Sequence, residues 1–388
     1  MFTTSEAQLK KLGALITTKE IAQQPELWEE TALIYQQYQA KLAEFITSFV
    51  LKENQKLRVI FTGAGTSQYV GDTLVPYLRQ VGDSSLFSFE SLATTDIVAS
   101  PKDYLLPNEP TLLVSFARSG NSPESKATVQ LATRLVKNIK HLIITCAPEG
   151  ELAKFGNSDP DSLVVLMPQC SNDKGFAMTG SFSCMVLAGL LFFDQTTPAQ
   201  KLAYVAKCAS LGREVLTNEA KIKDLVDLDF ERIVYLGSGS LSGLAREAQL
   251  KILELTHGQI ATSFDSSMGF RHGPKSFITD KTLVLGFVGN DAYTKQYDLD
   301  VLNEIFHDQI AKKTVAVGQL ADIPFAGTKI ALTSDELLPA GYLALPDVMV
   351  AQTVALLTAV KLKNTPDTPS PTGTVNRVVK GVVIHEFN

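Results

Sequence analysis

The order of apolar and polar positions divides the 388-residue chain into a helical beginning and a longer part where short strands alternate with helices. Over residues 1–50, Leu27, Ile34 and Tyr38, then Leu42, Phe45 and Phe49, recur at helical spacing and predict an amphipathic helical arm. Beyond it come short, continuous apolar runs: RVIF (58–61), LFSF (86–89), TLLVSF (111–116), HLIITC (141–146) and SLVVLM (162–167). Runs without alternation are what strands covered on both faces look like. They predict parallel strands in βαβ units.

The order then repeats. RVIFTGAGTS (58–67) aligns without a gap with RIVYLGSGSL (232–241) at an offset of 174, and TLLVSF with TLVLGF (282–287) at 171. KHLIIT (140–145) has a weaker counterpart in KTVAVG (313–318). Several strands matched in order at a nearly constant offset indicate a duplicated α/β domain. The expected division is an arm over 1–50, a first domain over 51–200 and a second over 215–388, with a helical connection around 183–228. From about 364 the prolines of KNTPDTPSPTG (363–373) predict an extended tail. It leads into the strand-like VNRVVKGVVIHEF.

Composition mostly excludes. Thirty-five Lys and Arg against forty-one Asp and Glu give a formal charge of −6, without the basic footprint of a nucleic-acid binder. Cys146, Cys170, Cys184 and Cys208 form no CxxC pair and the five histidines no HExxH, so no metal or other cofactor is expected. The first residues lack the apolar core of a signal peptide, and the longest apolar run, Cys184 to Phe193, is ten residues. A soluble, cytoplasmic protein with no membrane partner is the expectation.

Four places carry candidate chemistry. Gly63-x-Gly65 follows a strand and opens a helix, but Gln68 stands where a dinucleotide fingerprint needs a third glycine, and Ser242 does so in the second copy. Tight packing turns would explain both glycine pairs. After TLLVSF, the run Arg118-Ser119-Gly120-Asn121-Ser122-Pro123-Glu124 has the makings of an anion nest. Ser119 and Ser122 add donors, Pro123 suits a first helical position, and Arg118 offers a charge-assisted bond to a phosphate oxygen. An ordinary capped helix start would read the same way. Glu247, Lys251 and Glu254 share one helix face at i, i+4 and i+7. They form either a solvated salt-bridge face or a carboxylate tuned by an ammonium for proton transfer. Their helix follows the second glycine turn, at the carboxyl end of a strand, where ligands of open α/β sheets collect. GFRHGPKSF (269–277) exposes His272 on a rigid turn between Arg271 and Lys275, an environment suited to proton chemistry.

Together these residues resemble the sugar isomerase (SIS) family, over roughly 50–388. Within it, FARSGNSPES, AYTKQYDLD and GFRHGPKSF resemble the branch of galactosamine-6-phosphate deaminase/isomerases, also described as tagatose-6-phosphate ketose/aldose isomerases. The isomerase half of glucosamine-6-phosphate synthase is similar at greater distance. The resemblance implies two tandem SIS domains, each a flavodoxin-like parallel sheet flanked by helices. It implies a phosphate site from Thr66 and Ser67 and from the loop Ala117–Ser122, where alanine and Arg118 replace the family's first serine and its glutamine. A segment closing over the sugar corresponds to 177–182 with Thr179, without the usual lysine. The family's E-x-x-x-K-x-x-E helix corresponds to Glu247, Lys251 and Glu254, and its ring-opening histidine, contributed by a neighbouring subunit, to His272. Its tail lysine corresponds to Lys380.

By the same resemblance the chain is expected to be an enzyme acting on a sugar phosphate, as a homodimer or higher homo-oligomer with shared sites. The implied reaction converts galactosamine 6-phosphate to tagatose 6-phosphate and ammonia. Only about 50 residues precede the first SIS domain and the chain begins Met1-Phe2, so no glutaminase chemistry is expected. An aldose–ketose isomerase without nitrogen chemistry would use the same residues. A sugar-phosphate-sensing regulator is disfavoured by the retained Glu254, Lys251 and His272.

Overall fold

The computed structural model describes residues 1–49, 51–321, 323–373, 375–379 and 381–387. The arm forms α1 (Glu6–Lys11), α2 (Leu15–Ala22) and α3 (Gln24–Thr47). The first half then runs β1 (Leu57–Gly63), α4 (Thr66–Val81), β2 (Phe87–Ala93), α5 (Thr94–Ala99), α6 (Pro101–Tyr104), β3 (Thr111–Ala117), α7 (Pro123–Leu135), β4 (Ile139–Thr145), α8 (Glu151–Ser158) and β5 (Ser162–Leu166). Three helices come next: α9 (Gly180–Phe193), α10 (Pro198–Thr217) and α11 (Glu219–Val226). The second half comprises β6 (Arg232–Gly237), α12 (Ser240–Leu255), β7 (Ala261–Ser266), β8 (Thr282–Phe287), α13 (Ala292–Asp308), β9 (Lys313–Gly318), β10 (Thr328–Ala331) and α14 (Ala340–Lys361).

Among the described residues two five-stranded parallel sheets form, ordered β2-β1-β3-β4-β5 and β7-β6-β8-β9-β10. The two orders are the same. Each is the doubly wound pattern whose strand order reverses beside its first strand, which opens a crevice there at the carboxyl ends. The α/β fold expected from the apolar runs is therefore the observed one. The runs did not reveal β7 and β10, because both are edge strands: β7 is half-exposed along most of its length and β10 has four residues.

The tail has neither helix nor strand among its described residues; side chains hold it instead. Arg134 donates to the Phe387 carbonyl at 2.5 Å, and the Phe387 ring lies beneath Lys102 and Arg134, 5.3 and 5.9 Å from its centroid. A second feature could mislead. Ala340–Lys361 is long and apolar enough to cross a membrane, yet 94% of its apolar window is buried inside the protein. It is a core helix, packed against α10 and α12.

The crossing of α4 and α12 sets the site. A Cβ on Gly243 would lie 2.5 Å from the Asp72 carbonyl carbon, so only glycine lets the helices approach this closely. Each helix begins at a glycine of nearly identical backbone, Gly65 (φ +57°, ψ −128°) and Gly239 (φ +57°, ψ −125°).

Candidate active site

The crossing has approximate two-fold symmetry. Gly65 faces Leu250, and Gly239 faces Pro76, the residue that the 174 offset pairs with Leu250. The start of α4, at the carboxyl end of β1, is thus brought against the later turns of α12. Lys251 donates to Thr66 Oγ1 at 2.9 Å and to Glu254 Oε2 at 2.6 Å, and its Nζ lies 3.2 Å from Glu247 Oε1. Lys251 and Glu247 are fully buried, whereas Glu254 keeps 21% of its side chain exposed. Of the two carboxyl groups, Glu254 is therefore the one open to the crevice, and Glu247 stands behind the ammonium.

Their electrostatics follow from burial. Burial pushes Glu247 up to about 8 against the pull of Lys251. For Lys251, burial works against the ammonium, but Glu247 and Glu254 together hold its pKa above the ordinary lysine value. One buried ammonium between two carboxyl groups can exchange protons with them, and the partly exposed Glu254 lies at the open end.

Across the crevice, β3 runs into the loop that starts α7. Gly120 takes φ +66°, and Ser119 Oγ accepts from Asn121 N at 3.3 Å. Ser122 is the N-cap residue, yet its hydroxyl lies 2.7 Å from Ser125 Oγ and leaves the first amides of α7 without a side-chain cap. The start of α8 props the loop: Leu152 N donates to Gly120 O at 3.1 Å and Glu151 N to Asn121 Oδ1 at 3.0 Å. Open amides, two hydroxyls and the start of α4 with Thr66 and Ser67 then lie on either side of the β1/β3 crevice. This is the composition of an anion site.

A third wall is the segment before α9. Asp173, 1% exposed, accepts from the amides of Thr179, Gly180 and Ser181 and from the Thr179 hydroxyl, at 2.8–3.1 Å. The Thr179 hydroxyl is thereby committed to Asp173. Met178 reaches Ser67, with Sδ 3.8 Å from Oγ. Glu20, from α2, accepts from Lys174 N at 2.5 Å and from Gly175 N at 3.2 Å; burial and the nearby Asp173 push it up to about 7.

Arg118 does not extend along the loop that starts α7. Its guanidinium turns inward and donates to Phe176 O (3.0 Å), Gly175 O (3.4 Å) and Arg377 O (2.7 Å), tying the Asp173–Thr179 wall to the tail. Three backbone carbonyls outweigh an exposed position on the loop, at the cost of a pKa lowered by burial and by Arg377. His272 is exposed and hydrogen-bonded to none of the residues around Lys251. Its cationic neighbours are taken: Arg271 binds Glu304 at 2.7 Å, and Lys275 binds Glu304 at 2.5 Å and Asp308 at 2.6 Å. They anchor the turn on α13 and leave the ring projecting. Lys380 lies outside the described residues.

The chain's own pattern gave no pointer to Glu20 or Arg377. Asp173 carried one signal, an acid shortly before the Thr-Gly-Ser start of an apolar helix, where a cap is needed.

No family model matches the chain. Curated relatives do. The D-galactosamine-6-phosphate deaminase AgaS of Shewanella sp. (strain ANA-3) is 40% identical over 384 residues, 99% of this chain and 95% of its own. The protein of the same name from Escherichia coli O157:H7 is 43% identical over 376 residues, 96% of each chain. The chain belongs to the AgaS family. The crystal structure of tagatose-6-phosphate ketose/aldose isomerase from Escherichia coli superposes on this member with a TM-score of 0.87 at 38% identity, covering 99% of this chain and 98% of that one. The C-terminal domain of glucosamine-fructose-6-phosphate aminotransferase from Francisella tularensis, 19% identical with a TM-score of 0.74, shares the fold. In this AgaS-family chain the candidate site draws on both halves: open amides and hydroxyls from the first, the Glu247, Lys251 and Glu254 cluster from the second.

Proposed function

We propose that the chain is an amino-sugar 6-phosphate deaminase/isomerase that converts galactosamine 6-phosphate and water into tagatose 6-phosphate and ammonia. The observation that carries this reading is the contact of Lys251 with both Thr66 and Glu254. It sets a proton-handling carboxylate beside an anion site, in a chain about 40% identical to proteins named for this deamination. Thr66, Ser67, Ser119 and Ser122 hold the phosphate, whose binding energy positions the reacting carbons. Thr179 and Arg118 shape the wall over the sugar. His272 of a second copy relays the proton that opens the pyranose. Glu254 takes the proton from C2 of the open-chain 2-amino aldehyde and returns it to C1, by way of an enolamine. The resulting C2 imine adds water, and the carbinolamine expels ammonia to leave the ketose. Lys251, buttressed by Glu247, and Lys380 from the tail stabilise the oxyanion charge that develops on the way.

The name of the Escherichia coli structure favours a second reading, isomerisation of an aldose 6-phosphate without nitrogen chemistry. An assay that follows ammonia and ketose together separates them. Galactosamine 6-phosphate should release both in step. Inert amino sugars beside efficient turnover of tagatose 6-phosphate would replace the first reading with the second. The shared site is tested by mixing. Glu254→Gln and His272→Asn should each be inactive, and subunit exchange in equal amounts should restore about a quarter of normal turnover, since half the dimers are mixed and each carries one intact site. No recovery after verified exchange would place both residues in one chain's site.

A further inference from the structure

Duplication puts a second set of anion donors at the carboxyl ends of β6, β7 and β8, and the chain fills it with its own carboxylate. Asp298 lies on α13 and is 1% exposed. Its Oδ1 accepts from the hydroxyls of Ser238 and Ser267, each at 2.5 Å, and its Oδ2 accepts from Gly289 N at 3.2 Å. Ser238 lies inside the second glycine turn, and Gly289 follows β8 where the hydroxyl-rich loop follows β3 in the first half. Two hydroxyls and a backbone amide converging on one pair of oxygens, in the crevice of a doubly wound sheet, are the donors that receive a phosphate oxygen pair. The neighbouring helix start is closed as well. Asp291 accepts from Tyr293 N at 3.1 Å and Thr294 N at 2.8 Å, whereas Ser122 leaves the corresponding amides of α7 open.

We infer that the second half retains an anion site for a phosphate group and that the Asp298 carboxylate occupies it, so that each chain binds one phosphate ester and not two. A carboxylate suits the place because it presents two acceptor oxygens and a negative charge from a covalently attached position. No external anion can compete with that effective concentration. The inference rests on the Ser119–Ser122 loop being the phosphate site of the first half.

The test counts bound inorganic phosphate per full-length chain by equilibrium dialysis. The unaltered protein should bind one, and Asp298→Ala should bind two. A Ser119→Ala/Ser122→Ala background should then remove the first site and spare the new one. The Tm of Asp298→Ala should drop and recover in phosphate but not in chloride of equal ionic strength. Two sites in the unaltered protein, or a folded Asp298→Ala with one, would overturn the inference. Should Asp298→Ala not fold in chloride, refolding in phosphate decides: recovery supports the inference and equal failure ends it. If instead Ser119→Ala/Ser122→Ala leaves phosphate binding unchanged, the reading of the first site has failed, and the count for Asp298→Ala still reports on the second.

Discussion

Gly65 and Gly239 open α4 and α12 with the same backbone, and the two helices cross so that each start lies against the other's later turns. What stands at those later turns differs completely. The 174 offset pairs Glu247, Lys251 and Glu254 of α12 with Thr73, Tyr77 and Gln80 of α4. Where Lys251 reaches Thr66, Tyr77 turns away and donates to Asp194 at 3.0 Å, beside Tyr342 at 3.1 Å, to form a buried polar pin between helices. The Ser240 hydroxyl, counterpart of Thr66 in the sequence alignment, is buried with no hydrogen-bond partner among the described residues. Duplication thus supplied two similar crevices of backbone. Side chains then divided the work, giving one crevice open anion donors and a proton-handling cluster, and the other internal carboxylates and packing. A parallel-sheet switch point is an opportunity for binding, and unsatisfied donors decide whether it remains one.

The division is broken most severely at the proton-handling end. Glu254→Gln should lower turnover by about 10²–10⁴ with KM nearly unchanged, because basicity is lost and size is kept. Gln80→Glu, the matching exposed position on α4, should leave turnover unchanged. Equal effects in steady-state assays would dissolve the asymmetry.

Arg118→Ala should cost about 1.5–3 kcal/mol of stability, the scale of charge-assisted bonds left unmade. Hydrogen exchange should rise in the Asp173–Thr179 wall, visible by mass spectrometry. A raised KM with unchanged stability and exchange would instead return Arg118 to the phosphate.

The glycine turns give a subtler comparison. Gly65→Ala and Gly239→Ala both force a side chain into a positive-φ conformation, with no heavy atom nearer than 3.9 Å to the new Cβ. Each should cost about 1–3 kcal/mol in denaturant unfolding, from backbone strain alone. Only Gly65→Ala should also raise KM.

The smallest effect is a slope. Glu247 is pushed from 4.5 up to about 8 by burial, so the folded state holds a proton that the unfolded chain releases between those values. Its contribution to stability is present below the unfolded value and is lost as pH rises to about 8. Glu247→Gln should flatten that part of the Tm-against-pH curve. A curve of unchanged steepness would mean that Lys251 keeps Glu247 ionised throughout.

Periodicity and composition along the chain determined the buried strands, the duplication and the placing of Glu247, Lys251 and Glu254 on one helix face. Each of these stems from the local geometry of a strand or a helix, which a run of apolar residues or an i, i+4 spacing reports directly. The edge strands β7 and β10 escaped because an edge needs no continuous apolar run. Tertiary structure alone decided which side chains met. Lys251 reaches Thr66, 185 residues away in the chain, because Gly243 lets two helices cross closely. Asp173, Glu20 and Asp298 found amides and hydroxyls that packing had removed from water, and Arg118 turned from an exposed loop toward buried carbonyls for the same reason. A polar group's partner is set by which donors and acceptors burial leaves unpaired around it, and that tally exists only once the chain has folded.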